Sequence, residues 1–543
     1  MVYPAQKHVL KVFGEIVKAL PPSEQAKPQV LLLAGEVTPY RHDTDREMIF
    51  RQESNFFYLT GCNVPSAHVL SAYQAGTSFE TTPTVDLFIP KAESADIMWS
   101  IPPPSLDAAK QTHDVTKAEY SSAVPESIAT LIKAFPEALF HTLPRASPLF
   151  PFLSEVYTDM IMKSDGAITD AYLLPALHRA RLVKDEEEVA LIRKANAISS
   201  RAHEVVMRVL GKAVKGLVER GAGAGTDRPL LPGEWLIEKE AEAEAIFVAS
   251  TRREGAIHQA YLPIVAASNR ASTLHYCCND REFAWGPVDP HDHTSKEAFA
   301  QGQDRSLLPQ VLLIDAGCEW SNYAADITRT MPVGNGGRFN PQAREIYKLV
   351  HQMQADAFGI IEPGIHWDKV HAHTHRVLVN GFIKLGIFKC PEGKTLTADE
   401  LETVVYNLGL SWPFYPHGLG HSLGMDVHDV PSASKPVNND TLLQLTPEDT
   451  GPAVLFEYLR LRLPLEEGMV VTVEPGCYFH PHLLAPIMEK RSEYIDYDVL
   501  KKYEGMGGVR IEDCILITKN GYENLTTVKS DVDWVEGVCS GEL

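Results

Sequence analysis

Between about Val30 and Ile101 short apolar runs alternate with turn residues: VLLLAG, NFFYLTGC, AHVLSAY and VDLFIP. Runs of this length bounded by Gly, Pro, Asn and Ser predict strands, with helical stretches among and after them, one of them around Glu126 to Phe135. Together they predict an α/β domain of about 180 residues, a usual domain size. The pattern changes between Leu177 and Val183. From there LHRARLVKDEEEVALIRKANAISSRAHEVVMRVL sets Val189, Ile192, Ile198 and Val205 at helical spacing behind a cluster of acids that suits a helix N-terminus. The domain boundary is therefore placed here, with residues 1–180 as an N-terminal domain and 181–543 as a second domain beginning on a helix.

Three segments of the second domain lack periodicity and are rich in Gly, Pro, Asp or Ser: 216–233, 281–310 and 431–450. They read as surface insertions. GAGAG (Gly221 to Gly225) follows no clear strand and has no GK[ST], so it reads as a loop rather than a phosphate cradle. DPHDH (Asp289 to His293) has metal-friendly side chains but no strand or helix to hold them rigid.

Length and composition narrow the class. At 543 residues the chain exceeds what one hydrophobic core supports, so at least two domains are expected. A formal net charge of −21 argues against nucleic acid or an anionic membrane as partner, because phosphate binding needs clustered Lys and Arg. No apolar run reaches the roughly 20 residues of a spanning helix, and the N-terminus lacks the pattern of a signal peptide. The eight cysteines are scattered with no CxxC pair, which fits a reducing compartment. The cytoplasm is the expected location, and the sequon at Asn524 is expected to stay unmodified.

Three segments of the C-terminal half carry the candidate chemistry. In VLLIDAGCEWSNYAADITRTMPV an apolar run ends at Asp315 and a second strand-like run carries Asp326. An unpaired carboxylate at a buried strand end costs several kcal/mol, so it implies a cation. If the two runs form a hairpin, the two aspartates face each other and need positive charge between them; otherwise they are turn residues. In PHGLGHSLGMDVHDV, His417, His421 and His428 offer imidazoles among glycines 418, 420 and 424, which permit a close backbone approach. In VVTVEPGCYF, Glu474 ends an apolar strand. In GMGGVRIEDCILIT, Glu512 reads as lying inside a strand, compensated either by a metal or by a salt bridge to Arg510.

Asp315, Asp326, His421, Glu474 and Glu512 make four carboxylates and one imidazole, and four negative charges balance two divalent cations. Oxygen-rich ligands favour hard or borderline ions, Mn²⁺ first, with Co²⁺, Zn²⁺ or Fe²⁺ possible. Such a pair activates a shared water for hydrolysis without a covalent intermediate.

Here the chain resembles a known family. The order Asp-x10-Asp, HGLGHxLGxDVHD, EPGxYF and GVRIED resembles the pita-bread metallopeptidases, and within them the Xaa-Pro group of aminopeptidase P and prolidase. FRQESNFFYLTG (Phe50 to Gly61) is similar to a segment of that group's N-terminal half. The resemblance implies an N-terminal domain with a ribonuclease-H-like look, of creatinase/prolidase type, followed by a pita-bread catalytic domain, α/β (α+β) in class. It implies a dinuclear Xaa-Pro aminopeptidase using two metal ions, with a proline-containing peptide as substrate and a homodimer as assembly. Asp326 and Glu512 would bridge both metals, Asp315 would complete one site, and His421 with Glu474 the other. Glu474 would also act as general base. His428 and His275 would steady the substrate and the tetrahedral intermediate, and His417 and Arg510 would contact the substrate or the ligands. The sequence after EPGCYF is more like prolidase, a strict dipeptidase, in which Arg460 or Arg462 would hold the substrate carboxylate. A non-catalytic interaction module, a methionine aminopeptidase and a metal-free creatine amidinohydrolase are the rival readings on the same fold. The intact ligand set weighs against the first and third, and the long N-terminal domain against the second.

Overall fold

The computed structural model describes residues 2–164, 167–215, 234–283, 307–436, 445 and 451–543. The chain divides into two units, Met1–Val183 and Lys184–Leu543. The segment 216–233 with its glycine run lies outside the described residues, as do Asp289 to His293 and most of the other two expected insertions.

The first unit is built on six strands: β1 (Gln29–Ala34), β2 (His68–Tyr73), β3 (Asp86–Ile89), β4 (Lys117–Tyr120), β5 (Leu139–His141) and β6 (Ala167–Thr169). They form one mixed sheet in the order β4-β3-β2-β1-β5-β6. β1, β2 and β3 pair antiparallel as a meander, and β5 runs parallel to β1 on its other side. Every residue of β1 is buried, which is why its sequence is an unbroken apolar run rather than an alternation. Val30 and Leu32 pack with Leu70, Phe88 and Phe140 against Val124 and Ile128 of the helix Val124–Ala134, the helix expected near Glu126.

NFFYLTGC departs from the strand reading, for Ser54–Thr60 is a helix with all seven residues buried. The Glu53 carboxylate caps it by accepting the Phe56 N–H at 2.7 Å, and Gly61 ends it in the left-handed conformation with φ 63°. A short segment buried on all sides shows no polar face, so its period is hidden.

The second unit opens on the expected helix, Glu186–Val214, whose Asp185 and Glu188 form a reciprocal capping box. Val189, Ile192 and Ile198 face inward as expected; Val205 does not, being 39% exposed, and Val206 takes the inward position instead. The remaining strands are β7 (Ile264–Ala267), β8 (Gln310–Asp315), β9 (Glu319–Trp320), β10 (Tyr323–Ala324), β11 (Thr328–Val333), β12 (Val470–Val473), β13 (Gly476–Tyr478), β14 (Gly508–Arg510), β15 (Asp513–Thr518) and β16 (Gly521–Asn524). They assemble as β11-β8-β7, β12-β15-β16 and the pairs β13-β14 and β9-β10. Among the described residues no helix is long and apolar enough to cross a membrane.

Two buried histidines give the fold an acid limit. His141 hydrogen-bonds Gln29 through Nε2, and burial lowers its pKa to about 4. His203 Nε2 lies 3.0 Å from the Ala316 carbonyl, and burial, aided by Arg329, lowers its pKa to about 3. Both folded values lie below the ordinary 6.5, so in acid the unfolded chain takes up protons that the folded chain refuses. Their contribution is complete above pH 6.5 and is lost progressively as pH falls toward the folded values. Thermal unfolding followed from pH 7 to pH 4.5 should show a falling midpoint, and His203→Gln should flatten part of that slope. An unchanged slope in the variant would remove His203 from the account.

Candidate metal centre

The strand termini of the second unit converge on one cavity of about 420 Å³. Asp315, Asp326, His421, Glu474 and Glu512 line it, and so do His275, His417, His428, Arg460 and Arg510. Of the site candidates singled out in the sequence, all but Arg462 thus reach the same cleft.

Asp315 is the last residue of β8, set between Ile264 of β7 and Thr328 of β11. Asp326 lies in the link between β10 and β11 rather than in a strand. The two carboxylates do approach each other, and the Tyr261 hydroxyl reaches Oδ1 of both at 2.5 Å. Glu474 follows β12 directly. Glu512 falls in the break between β14 and β15, not inside a strand. Its compensation is not a salt bridge to Arg510, for that guanidinium pairs with Asp315 Oδ2 at 2.6 Å. Glu512 accepts instead from the Thr328 hydroxyl at 2.6 Å. Arg462 is also committed elsewhere, pairing with Asp368 at 2.6 Å, which leaves Arg460 as the arginine of that segment on the cleft.

The glycine-rich segment docks by close approach. A β-carbon on Gly420 would collide with the Thr472 carbonyl oxygen, and one on Gly424 with the Asp429 carboxylate. These two glycines therefore make room for the protein itself rather than for a ligand. The contact lets the Thr472 hydroxyl accept the His421 N–H at 3.0 Å while donating to Glu474 Oε1 at 3.1 Å. One side chain thereby sets two neighbouring ligand candidates. Cys514 does similar work for Asp326: its thiol donates to the Asp326 carbonyl at 2.9 Å and accepts the Asp326 N–H at 3.4 Å.

The electrostatics identify what is needed here. Burial, reinforced by Asp326, Glu474 and Asp315, holds the Glu512 carboxyl well above the usual carboxylate range. Burial pushes Glu474 up to about 7 and Asp315 up to about 6, with Arg510 opposing both. Burial would raise Asp326 too, but hydrogen bonds from His421 and Tyr261 outweigh it and hold it low. Four carboxyls in this space cannot all ionise on their own. His421 points the same way. Its Nδ1 lies 3.1 Å from the Ser422 carbonyl, which makes Nδ1–H the donor and aims Nε2 at Asp326 Oδ2 (3.3 Å) and Glu474 Oε1 (3.4 Å). Burial would lower the His421 pKa, but the bond to Asp326 and the charge of Glu474 raise it, so Nε2 carries a proton between the two carboxylates, and a divalent cation would take that proton's place. Asp326, His421 and Glu512 offer ligand atoms within 4.8 Å of one another. The donor set fits divalent cations.

Around these acids stand neutral imidazoles. Burial, with Arg510, lowers His417 to about 3, and burial, with His421, lowers His428 to about 3. His417 Nδ1 lies 2.8 Å from the Gly418 carbonyl and its Nε2 lies 2.8 Å from the Tyr478 hydroxyl, which Arg510 also contacts at 3.1 Å. Tyr261, Thr328, Thr472, Tyr478 and Cys514 were not anticipated from the sequence. Thr328, Thr472, Tyr478 and Cys514 lie within segments already marked, although nothing there singles them out, and only Tyr261 lies outside them.

A cleft of buried carboxylates and neutral imidazoles at converging strand ends defines a metal-dependent hydrolase. The comparisons with known proteins agree. The model of metallopeptidase family M24 matches residues 190–519, and that of the aminopeptidase P N-terminal domain matches residues 11–140. A probable Xaa-Pro aminopeptidase of Pyricularia oryzae is 36% identical over 540 residues, covering 99% of this chain and 97% of the relative. One of Metarhizium robertsii is 37% identical with the same coverage. Among solved structures, the low-pH form of Escherichia coli aminopeptidase P superposes with a TM-score of 0.68 at 26% identity, covering 98% of each chain. The zinc-substituted form of that enzyme in complex with product gives 0.65 at 28% identity, also over 98% of each chain. The chain belongs to metallopeptidase family M24, with an aminopeptidase P-type N-terminal domain and a pita-bread catalytic domain.

Proposed function

We propose that this chain is an Xaa-Pro aminopeptidase, removing the N-terminal residue from peptides whose second residue is proline. The observation that carries the reading is the convergence of five candidate ligands from separate stretches of chain, with three neutral-capable histidines and two arginines, on one cavity. Asp326 and Glu512 would hold both cations, Asp315 would complete one site, and His421 with Glu474 would complete the other. When bound, the cations supply the positive charge that activates water and polarises the scissile carbonyl. Glu474 receives the proton of the attacking water: Oε1 is anchored by Thr472, while Oε2 is turned toward His417, 3.9 Å from its Nδ1. Neutral His275 and His428 donate to the carbonyl oxygen as charge develops on it. His417 and Arg510 orient the peptide, and Arg460 meets a carboxylate at the rim. A proline nitrogen offers no N–H after the scissile bond, so recognition rests on ring shape and on the carbonyls that these donors reach.

The relatives named as probable Xaa-Pro aminopeptidases support this activity over that of a strict dipeptidase. Mn²⁺ is the proposed native ion, because the donors are mostly oxygen. The eight free thiols support the cytoplasm. A homodimer is the proposed assembly, supported by the exposed apolar side chains Met98, Trp99 and Ile101 of the first unit, at 77%, 79% and 95% exposure. Light scattering reads the mass directly, and a monomer at micromolar concentration would exclude it.

Hydrolysis of Arg-Pro-Pro and of Gly-Pro tests the activity. Cleavage of the tripeptide is expected, lost on chelation and restored by Mn²⁺. Cleavage of Gly-Pro alone would make the enzyme a dipeptidase. Absence of metal-dependent cleavage of either would make the domain an interaction module.

A further inference from the structure

His275 makes no hydrogen bond to another protein group among the described residues, although it stands at the cleft. Its placement must therefore come from its backbone, and the next residue is anchored. Tyr276, 8% exposed, donates its hydroxyl to Glu240 Oε2 at 2.7 Å. Glu240 opens the helix Glu240–Arg253 and is fully buried. Its carboxylate accepts three further hydrogen bonds: Oε1 from the Ala267 N–H (2.9 Å) and Arg270 Nε (2.7 Å), and Oε2 from the Arg281 N–H (3.2 Å). Four points of the stretch 267–281 thus converge on one acid. Asn279 secures the far side of the same turn. Its Oδ1 accepts the Val265 N–H at 3.0 Å and its Nδ2 donates to the Pro263 carbonyl at 2.6 Å, tying the turn to β7, whose Ile264 lies opposite Asp315.

We infer that Glu240 and Tyr276 are positioning residues that hold the otherwise untethered His275 against the reacting carbonyl. The inference rests on the role given to His275 above. A buried carboxylate with four donors is a rigid post, and a single peptide unit separates Tyr276 from His275. Loss of the Tyr276 hydroxyl frees the residue next to His275, and that hydroxyl bonds Glu240 rather than any candidate metal ligand. The clamp therefore acts on turnover, with no part in holding the cations.

The test is a double-mutant cycle on the full-length, Mn²⁺-loaded protein. Tyr276→Phe removes one hydroxyl and leaves the Glu240–Arg270 pair in place. Its kcat on Arg-Pro-Pro should fall about tenfold, the scale of a hydrogen bond to a charged group, with KM and the Mn²⁺ affinity read by calorimetric titration unchanged. His275→Ala should lose about a hundredfold. The double variant should match His275→Ala to within about twofold, because a positioning residue has nothing left to position. Equal losses from Tyr276→Phe in both backgrounds would make it merely structural and overturn the inference, as would full activity in Tyr276→Phe beside an impaired His275→Ala. Full activity in His275→Ala would instead remove the role of His275 itself. Glu240→Gln, which keeps the shape and leaves Arg270 unpaired, should reproduce the kcat loss; wild-type turnover in it would also overturn the clamp.

Discussion

Glu474→Gln should lower kcat on Arg-Pro-Pro by about 10²–10⁴-fold, the range that a positioned proton acceptor supplies. The substitution keeps the shape and the Thr472 contact on one side of the group. It removes the ability to take a proton and one negative charge from the metal site. The two effects separate by experiment. Metal content after dialysis and activity at saturating Mn²⁺ report the charge; single-turnover rates at full occupancy report the proton. A variant holding its full metal complement yet turning over within tenfold of wild type would show that another group accepts the proton. Asp315 is the alternative the geometry offers, but its Oδ2 is paired with Arg510 and its Oδ1 is taken by Tyr261. Glu474 Oε2, by contrast, lies 3.9 Å from His417 Nδ1 and is held by no arginine or tyrosine among the described residues.

The second large effect concerns stability. Arg329 is 1% exposed and spends its guanidinium on five acceptors. These are the carbonyls of Thr328, Glu512, Val528 and Lys529 and the Asp513 carboxylate, the last at 2.7 Å. Arg329→Met fills similar volume but abandons all of them and leaves a buried aspartate uncompensated. The expected cost is about 3–5 kcal/mol, the scale for breaking a buried pair by removing one partner. Chemical denaturation of the catalytic unit measures it. The exposed pair Arg193–Glu523, at 47% and 43% exposure, is the control, and Arg193→Met should cost under about 1 kcal/mol. Comparable costs at the two sites would mean that desolvation has already cancelled what Arg329 contributes. Because two of its carbonyl partners belong to Thr328 and Glu512, the Met variant should also bind Mn²⁺ more weakly.

What the sequence made legible follows from where chemistry interrupts a pattern. Asp315 and Glu474 stand at the ends of apolar runs, where a carboxylate is conspicuous, and both sit at strand termini facing the cleft. The histidines of 417–428 were visible because glycines surround them. Glu512 was legible as a costly acid but misplaced by its apolar neighbours, which belong to two strands separated at that residue. The buried helix Ser54–Thr60 was misread because nothing in it faces water. Thr328, Thr472 and Tyr261 were invisible for a different reason. A hydroxyl gains its role only from what tertiary folding brings beside it, and nothing local distinguishes it from other threonines and tyrosines. Glu240 is of the same kind: its four donors lie 27 to 41 residues downstream.

The scatter of the ligand candidates along the chain has a consequence for how the protein is made. Asp315 and Asp326 leave the ribosome long before Glu474 and Glu512 are translated, and two acids on an unfinished hairpin bind a cation weakly. Joining them to Glu512 requires closing a long stretch of polypeptide, a slow and non-local event. Cation capture is therefore among the last steps of maturation, and it rewards only chains in which the whole cleft has closed. An incomplete chain has neither the charge balance to retain the ions nor the acceptor to use them. On the proposed ligand set, proteolytic activity is expected only of molecules that have finished folding.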